Sequence, residues 1–474
     1  MAIKKGQQLE LKITDIAYGG RGLAKVDGLA VFVDQAVPLD HVIARVIKKK
    51  KSYGEARVAE ILEPSPDRIT PSCKYSGFCG GCKWQFLKYE QQLIYKRRHV
   101  VDSLEHVALV KGVPVHPVIS SPSTFGYRNK MEFSCSDKRW LLPDEMDQEN
   151  VDRTFAIGLH VPGTFHKVLD TEACLLQPAL GNQILNDVRT FIKTSDMPVY
   201  GLRSHIGFWR FLVLRHSATY DQWMVNIVTA AEDRPKVQPL ADLLMAKYPE
   251  IVSVINNITA RRAGVAIGEY EIILAGTSSL TDKIGPFEFE ISSNSFFQTN
   301  TRGAEGLYAA VKDYAGLKGK ETVVDLYSGT GTIAIYLSDS AREVIGMEIN
   351  ASAIRDAEKN CHRNRVPNCR FIHGDIKDCL SRFTLKPDVM IIDPPRAGMH
   401  KDVVKQVLNI SPDRIIYVSC NPATLARDVG LMNACYRVLE VQPVDMFPHT
   451  YHIEAVAKLE LKQAKTIPVS KIYK

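Results

Sequence analysis

Long apolar runs are missing from this chain of 474 residues. A membrane-spanning helix needs about 20 consecutive apolar residues, and apolar stretches such as Val389 to Ile392 end at Asp or Pro. The first residues turn polar at once and lack the apolar core and small-residue cleavage site of a secretion signal. These absences argue against a membrane-spanning helix and predict a cytoplasmic location.

The chain also has little excess charge. Its 60 Lys and Arg against 53 Asp and Glu give a formal net charge of +7, a mild bias toward anionic partners that is weaker than in a dedicated nucleic-acid arm. The composition, 45% hydrophobic and 24% charged, is typical of a folded globular protein, and the length predicts about three domains. Disulfides are typical of secreted proteins, so in a reducing cytosol clustered thiols among the ten cysteines indicate metal binding or chemistry.

Residues 1–64 are predicted to form a small, OB-like β-barrel. Short segments of alternating apolar and polar residues, such as 9–13 and 30–33, flank the glycine-rich segment 19–22. Lys48 to Lys51 and Tyr53 lie near one end. Basic and aromatic residues on such a barrel can bind RNA, whereas a solvated lysine run in a hairpin loop accounts for the same residues equally well.

The rest of the chain divides at about residue 290. Residues 65–290 contain a cysteine-rich loop, a basic helical stretch at about 88–108 that we expect to pack on the C-terminal domain, and a mixture of α and β elements whose order the pattern does not give. Residues 291–474 alternate strands and helices. Their apolar runs at 322–326, 343–348, 388–393 and 414–419 are typical of buried parallel strands. This predicts a doubly wound α/β domain with ligands at the carboxyl ends of the strands.

A glycine-rich turn, D-L-Y-S-G-T-G-T at 325–332, follows the first of these strands. Its glycines let the backbone approach a ligand closely, but the third glycine of the dinucleotide pattern is absent. Glu348 ends the second strand, where a carboxylate can bind both hydroxyls of a ribose, and Asp375 follows the third, in position to face an adenine edge. This order resembles a class I S-adenosylmethionine-dependent methyltransferase with a Rossmann-like fold.

The next two strands are followed by reactive side chains. Asp393 begins D-P-P-R-A-G, whose paired prolines stiffen the loop, and Cys420 follows the strand after that. A thiolate that adds to carbon 6 of a pyrimidine makes carbon 5 able to take a methyl group. A base must then remove the proton on carbon 5, and Glu454, which opens a second apolar stretch, is the candidate.

The chain resembles the RNA 5-methyluridine methyltransferase family. The resemblance rests on S-S-N-S-F-F-Q-T-N at 292–300, the turn at 325–332, D-P-P-R-A-G, V-S-C-N-P-A-T-L-A-R-D and F-P-H-T-Y-H-I-E. It extends over essentially the whole chain, because residues 1–64 resemble the TRAM domain of many members. The resemblance implies Cys420 as nucleophile, Glu454 as base and Phe296 near a flipped uracil. It also implies S-adenosylmethionine as cofactor, bound by Gln298, Tyr327, Glu348 and Asp393.

Three cysteines, Cys73, Cys79 and Cys82, form C-x5-C-x2-C in a glycine-rich segment. A fourth thiol is needed for a four-cysteine site, and Cys135 competes for that role on distance in the sequence. Four cysteines without histidine suit either zinc or an iron-sulfur cluster. The resemblance implies Cys174 as the fourth ligand and a structural [4Fe-4S] cluster in the central domain.

The family branch that the chain resembles most is the bacterial iron-sulfur one that acts on 23S ribosomal RNA. We therefore expect methylation of carbon 5 of a loop or single-stranded uridine in that RNA, by a monomer with no membrane partner. A transfer RNA uridine methyltransferase with the same chemistry is one alternative, and a non-catalytic iron-sulfur RNA-binding protein is another. Lys48 to Lys51, Arg128 and Lys130 are the basic residues expected to contact RNA.

Overall fold

The computed structural model describes residues 3–262 and 264–462. Within these residues the strands form three extended sheets and one separate hairpin. None of the helices in this part of the chain combines the length and the apolar composition needed to cross a membrane.

The first sheet occupies the predicted barrel segment. Its strands are β1 (Gln8–Lys12), β2 (Asp15–Ala17), β3 (Arg21–Val26), β4 (Leu29–Asp34), β5 (His41–Lys49) and β6 (Tyr53–Glu63). They pair in the order β1-β5-β6-β4-β3-β2, and β1 also contacts β3, which curls the sheet into a barrel. Alternate residues, among them Val31, Val33, Val42 and Ala44, point into its apolar core, as the period of two along a strand requires.

The central domain is built on an eight-stranded sheet. Its elements are α1 (Tyr89–His106), β7 (Lys130–Ser136), β8 (Arg139–Trp140), β9 (Ala156–His160), β10 (Val168–Asp170), α2 (Ala179–Thr194), β11 (Trp209–His216), β12 (Trp223–Thr229), α3 (Arg234–Lys247), β13 (Ile251–Ile258) and β14 (Tyr270–Gly276), with a short 3-10 turn at Pro143–Glu145. The strands lie in the order β14-β13-β12-β11-β7-β9-β10-β8. Helices α2 and α3 cover the sheet through Ile184, Val188, Val237 and Leu240.

The C-terminal part contains the doubly wound domain. Its elements are β15 (Ser279–Ile284), β16 (Phe287–Ser292), α4 (Thr301–Ala315), β17 (Thr322–Leu326), α5 (Thr332–Leu337), a 3-10 turn (Ser338–Ser340), β18 (Glu343–Glu348), α6 (Ala351–Arg363), β19 (Cys369–His373), α7 (Ile376–Ser381), β20 (Val389–Ile392), α8 (Lys401–Ile410), β21 (Arg414–Ser419), α9 (Pro422–Met432), β22 (Tyr436–Val444) and β23 (Glu454–Leu461). The sheet order is β19-β18-β17-β20-β21-β23-β22. All pairs from β19 to β21 are parallel, whereas β23 runs antiparallel to both its neighbours. The strand order reverses between β17 and β20, where ligands bind in such sheets.

The hairpin β15-β16 belongs with the C-terminal helices. The side chains of Asn360 on α6 and of Asn364, the residue after that helix, accept hydrogen bonds from the backbone N–H of Glu290 and Glu288, at 2.7 and 2.8 Å. The predicted domain boundary at residue 290 therefore lies inside β16.

Helix α1 packs on the C-terminal domain. Val100 and Leu104 belong to the same apolar cluster as Leu425 and Val429 of α9. The helix thus connects the central segment to the back of the doubly wound sheet.

Candidate active site

A cavity of about 520 Å³ lies where the parallel strands end, and we call it the strand-end cavity. Its walls come from the loop between β16 and α4, the segments that follow β17, β18, β20 and β21, and the start of β23. It is lined by the six side chains to which the family resemblance gives a role in catalysis or cofactor binding: Gln298, Tyr327, Glu348, Asp393, Cys420 and Glu454. Residues that are far apart in the sequence therefore face one space.

The register of two antiparallel strands brings Cys420 to Glu454. Ser419, the last residue of β21, pairs with Ala455 of β23. Continuing this register by one residue places Cys420 opposite Glu454. Side chains directly opposite each other in an antiparallel pair lie on the same face, about 4.5–5.5 Å apart at Cβ. A thiol and a carboxyl group therefore face the cavity side by side.

Burial raises the pKa of three side chains that line this cavity, Cys420, Asp393 and Glu454. Desolvation, together with the charge of Glu454, raises the pKa of Cys420 to about 11, while nearby Arg396 opposes the rise. Burial raises the pKa of Asp393 to about 7 and holds the pKa of Glu454 well above its usual range. A carboxylate with a raised pKa binds a proton more strongly than an ordinary one, which suits it to act as a base.

The glycine-rich turn leaves space for a ligand. Tyr327, Gly329 and Gly331 all have positive φ, at 62°, 54° and 74°, and no heavy atom of the described residues lies within 4 Å of where a Cβ on Gly329 would be. The N–H of Gly329 donates to Oε2 of Glu348 at 3.0 Å, which fixes that carboxylate at the end of β18. The open turn beside an oriented carboxylate fits a nucleoside-containing cofactor.

Asp375 lies outside this arrangement. The sequence predicts it after the third strand, facing an adenine edge, and it does follow β19. However, the side chain is exposed, does not line the strand-end cavity, and caps α7 by accepting a hydrogen bond from the N–H of Lys377 at 2.9 Å. An Asp at this position satisfies an otherwise unpaired helix N–H group.

The sequence predicts no role for two residues that lie near Cys420. Arg396 lines the cavity, and its place in D-P-P-R could have suggested it. Tyr18, in the barrel, is close enough for the charges of Cys420 and Glu454 to raise its pKa, after burial as the main cause. Nothing in the barrel sequence indicates that its β2-β3 turn lies near Cys420.

The loop before Glu454 is held by α1 and by the chain just after Cys82. Nζ of Lys96 donates to Oδ1 of Asp445 at 2.7 Å and to the carbonyl of Phe447 at 3.0 Å. The N–H groups of Lys83 and Trp84 both donate to the carbonyl of His449 at 2.9 Å. These bonds connect the cysteine-rich loop directly to the segment that leads into β23.

The four predicted cluster ligands line a second space of about 550 Å³, the cysteine cavity: Cys73, Cys79, Cys82 and Cys174. Cys135 lies in β7 within the apolar core and does not line it. In the described part of the chain, however, no three His, Cys, Asp or Glu side chains are grouped so that they could hold a metal ion. Burial is the main cause that raises the pKa of Cys79 and of Cys82 to about 12.

Some of the basic residues predicted to contact RNA already lie beside acidic side chains of the protein. Arg128 lines both the strand-end and the cysteine cavities. Lys130 forms an ion pair with Glu132 at 2.7 Å, and Lys48 lies 3.6 Å from Glu55. Phe296 is 66% exposed and lines the same two cavities as Arg128.

Three segments match known families. Residues 375–462 match the tRNA (uracil-5-)-methyltransferase family, residues 303–415 the methyltransferase small domain, and residues 3–59 the TRAM domain. The chain is 44% identical to an uncharacterised RNA methyltransferase of Chlorobaculum tepidum, over 96% of this chain and 97% of that protein. It is 42% identical to one of Bacteroides thetaiotaomicron, over 94% and 100%.

A solved structure has the same overall arrangement. It is the tRNA (uracil-54, C5)-methyltransferase of Pyrococcus abyssi in complex with S-adenosyl-L-homocysteine, with a TM-score of 0.74 and 28% identity over 95% of this chain and all of that one. Together with the whole-length relatives, this similarity covers the barrel, the central domain and the doubly wound domain. The chain therefore belongs to the RNA methyltransferases of the tRNA (uracil-5-)-methyltransferase family, with a TRAM domain in its N-terminal part.

Proposed function

We propose that this protein transfers a methyl group from S-adenosylmethionine to carbon 5 of a uridine in 23S ribosomal RNA. The observation that carries the proposal is the shared location of Cys420 and Glu454, side by side in the strand-end cavity together with the proposed cofactor residues. In this division of the chain, residues 1–64 bind RNA, residues 65–290 carry the cysteine site and residues 291–474 catalyse the reaction.

The cofactor would lie along the strand ends. Glu348 would bind the ribose hydroxyls, Tyr327 and Gln298 would contact the nucleoside and methionine parts, and Asp393 would face the methionine end or a base edge. When bound, S-adenosylmethionine supplies an electrophilic methyl group. The similar P. abyssi enzyme is described with S-adenosyl-L-homocysteine, the demethylated form of this donor, which supports the assignment.

Cys420 would begin the chemistry. Its Sγ, as the thiolate, forms a bond to carbon 6 of the uracil, and the electrons of the C5–C6 double bond move onto the C4 carbonyl as an enolate. Carbon 5 of this enolate then accepts the methyl group. Because the pKa of Cys420 is raised in the free protein, the positive charge of Arg396 is the local feature that favours the thiolate.

Glu454 would complete the reaction. Its carboxylate takes the proton from carbon 5, the C5–C6 double bond reforms, and the electrons of the bond between carbon 6 and Sγ return to Cys420. The target uridine must leave its stack to reach this cavity. Phe296, whose exposed ring lines this cavity, would contact the flipped base.

Label transfer tests the reaction and its substrate. Purified protein is incubated with labelled S-adenosylmethionine and either unmodified 23S ribosomal RNA or bulk transfer RNA, followed by nucleoside analysis. Label in 5-methyluridine from ribosomal RNA is the expected result. Label in transfer RNA alone would show that the substrate is transfer RNA, as named for the P. abyssi enzyme. No label in either RNA would favour a non-catalytic RNA-binding protein.

A covalent trap tests the nucleophile. RNA that contains 5-fluorouridine cannot lose its substituent on carbon 5 as a proton, so the enzyme–RNA adduct should persist on a denaturing gel. Cys420→Ala should form no adduct. Cys435→Ala is the matched control, because Cys435 lies in the same domain and does not line the strand-end cavity. An adduct with Cys420→Ala would contradict the assignment.

For the cysteine cavity we propose a structural [4Fe-4S] cluster on Cys73, Cys79, Cys82 and Cys174. The four thiols share one cavity and lie close enough for the charge on one to affect another, and an all-cysteine donor set suits this cluster. The cluster would hold the loop whose next residues, Lys83 and Trp84, bind the carbonyl of His449.

Metal analysis separates this cluster from zinc. Anaerobically purified protein should contain about four iron and four sulfide per chain. Cys174→Ser should lose most of the iron, whereas Cys135→Ser should keep it. Stoichiometric zinc in place of iron, or iron retained by Cys174→Ser, would contradict the proposal.

A further inference from the structure

The central domain contains a strongly basic cavity that the proposed reaction does not use. It measures about 650 Å³ and lies between the β7-β8 turn, β8 and the loops that precede β9, β10 and β11. Its lining includes six basic side chains, Lys138, Arg139, Arg153, His166, Lys167 and Arg203. Among the described residues, one acidic side chain, Asp137, lines it. We call it the basic cavity.

Most of this positive charge is not neutralised within the protein. Arg139 pairs with Glu145, but the described residues place no carboxylate within ion-pair distance of Lys138, Arg153, Lys167 or Arg203. Uncompensated cations in a concave surface focus the electrostatic field and attract an anionic ligand.

The side chains are also held in place. Nζ of Lys167 lies 3.7 Å from the centre of the Trp140 ring, within the range of a cation–π contact. Nη2 of Arg203 donates to Nε2 of His166 at 2.7 Å. Trp140 remains 39% exposed, so its free surface can contact a sugar or a base.

Shared lining residues link the basic cavity to the strand-end cavity by way of two other cavities. Arg128 and Phe296 line both the strand-end and the cysteine cavities. Cys79 and Cys82 line the cysteine cavity and also a bridging cavity of about 340 Å³ between the barrel and the central domain. Trp140 and Lys167 then line both the bridging and the basic cavities. Neighbouring cavities thus share lining residues, and the four together mark a path across the molecule from the strand-end cavity to the basic cavity.

We propose that the basic cavity binds the sugar–phosphate backbone of the same RNA whose target uridine enters the strand-end cavity. The inference rests on RNA being the substrate. An RNA chain that extends from the strand-end cavity to Arg203 and Arg153 would cross the outer surface of the cysteine-rich loop, because the proposed cluster occupies the cysteine cavity. A single small anion would not need all four cations that lack an ion-pair partner, whereas a polyanion such as RNA can present successive phosphates to them. The site anchors RNA at a distance from the reacting base.

Such an anchor affects binding rather than chemistry. Its removal should raise KM for a long RNA at unchanged kcat, because an interaction made equally in the ground and transition states contributes only to binding. An RNA too short to span the path should be insensitive to the change.

The experiment compares Arg203→Gln, Arg153→Gln and the double variant with wild type. Binding of unmodified 23S ribosomal RNA is measured at three salt concentrations, and methyl transfer is measured on that RNA and on a uridine tetranucleotide. Arg382→Gln is the matched control, since Arg382 is exposed, forms no ion pair among the described residues and lines none of the four cavities. Arg203→Lys keeps the charge and should preserve most of the binding, and thermal unfolding of each variant checks the fold.

The expected result is a salt slope lower by about 1 for each phosphate that a variant no longer binds, a higher KM and an unchanged kcat on the long RNA. Activity on the tetranucleotide should not change. A double variant with the salt slope and KM of Arg382→Gln would overturn the inference. If wild type transfers no methyl group to any RNA but its salt slope still depends on Arg203 and Arg153, the proposed reaction fails and the binding site stands.

Discussion

Removing one partner of the buried ion pair between Lys96 and Asp445 should be among the most destabilising single substitutions at the contact between α1 and the C-terminal domain. Both side chains are fully buried, and their N···O distance is 2.7 Å. Lys96→Met keeps the length of the side chain and removes its charge. It leaves Asp445 in the interior with hydrogen bonds from Tyr89 at 3.0 Å and from the N–H of Phe447 at 2.9 Å, but with no cation. Removing one partner of a buried pair costs about 3–5 kcal/mol.

The second substitution of a double-mutant cycle should restore much of this stability. In Lys96→Met/Asp445→Asn no charge remains buried, and the amide oxygen can still accept from Phe447. We therefore expect the double variant to unfold with a free energy closer to wild type than to Lys96→Met. Urea unfolding followed by circular dichroism measures this, because a change in the midpoint at constant slope reports stability.

A surface pair with the same separation is the control. Lys312 and Asp339 also lie 2.7 Å apart, but both are substantially exposed, so Lys312→Met should cost less than about 1 kcal/mol. If Lys96→Met destabilises the protein no more than Lys312→Met does, the argument from burial is refuted.

Three further predictions concern the strand-end cavity. Glu454→Gln should lower turnover by about 10²–10⁴-fold and accumulate RNA bound covalently to the protein, visible on a denaturing gel; normal turnover would rule out Glu454 as the base. Burial raises the pKa of Asp393 to about 7, so the native state binds this proton more tightly than the unfolded chain, and wild type should lose stability relative to Asp393→Asn as pH rises from about 4 to about 7. Unfolding midpoints of both proteins at pH 5 and pH 8 test this, and a difference in midpoint between the two proteins that is the same at both pH values would contradict it. Gly331→Ala should destabilise the domain more than Gly329→Ala, since a Cβ at Gly331 would lie 2.7 Å from Phe371 while the one at Gly329 meets open space; thermal unfolding of both variants checks the order.

The sequence predicts the strands of the doubly wound domain well. The predicted runs 322–326, 343–348 and 414–419 coincide with β17, β18 and β21, because a parallel strand buried on both faces requires a continuous apolar segment. Motifs at the ends of such strands must meet at one edge of the sheet. Tyr327, Glu348, Asp393 and Cys420 could thus be grouped before their geometry was known, whereas Gln298 was added only by the family resemblance.

The strand order of the central domain could not be predicted from the sequence. Its eight strands pair in an order that mixes parallel and antiparallel neighbours, and short apolar runs do not specify which partner they choose. The proximity of Tyr18 to Cys420 and the path from Phe296 to Arg203 depend in the same way on how separate units pack.

By itself, the sequence determined which segments form the doubly wound sheet and which residue types stand at its strand ends, because local apolar patterning decides both. Only the tertiary structure decided that β23 pairs between β21 and β22, which sets Glu454 opposite Cys420. It also decided that Cys174 rather than Cys135 shares a cavity with the three clustered cysteines. Contacts between distant segments depend on the packing and pairing of whole elements, and no local pattern contains that information.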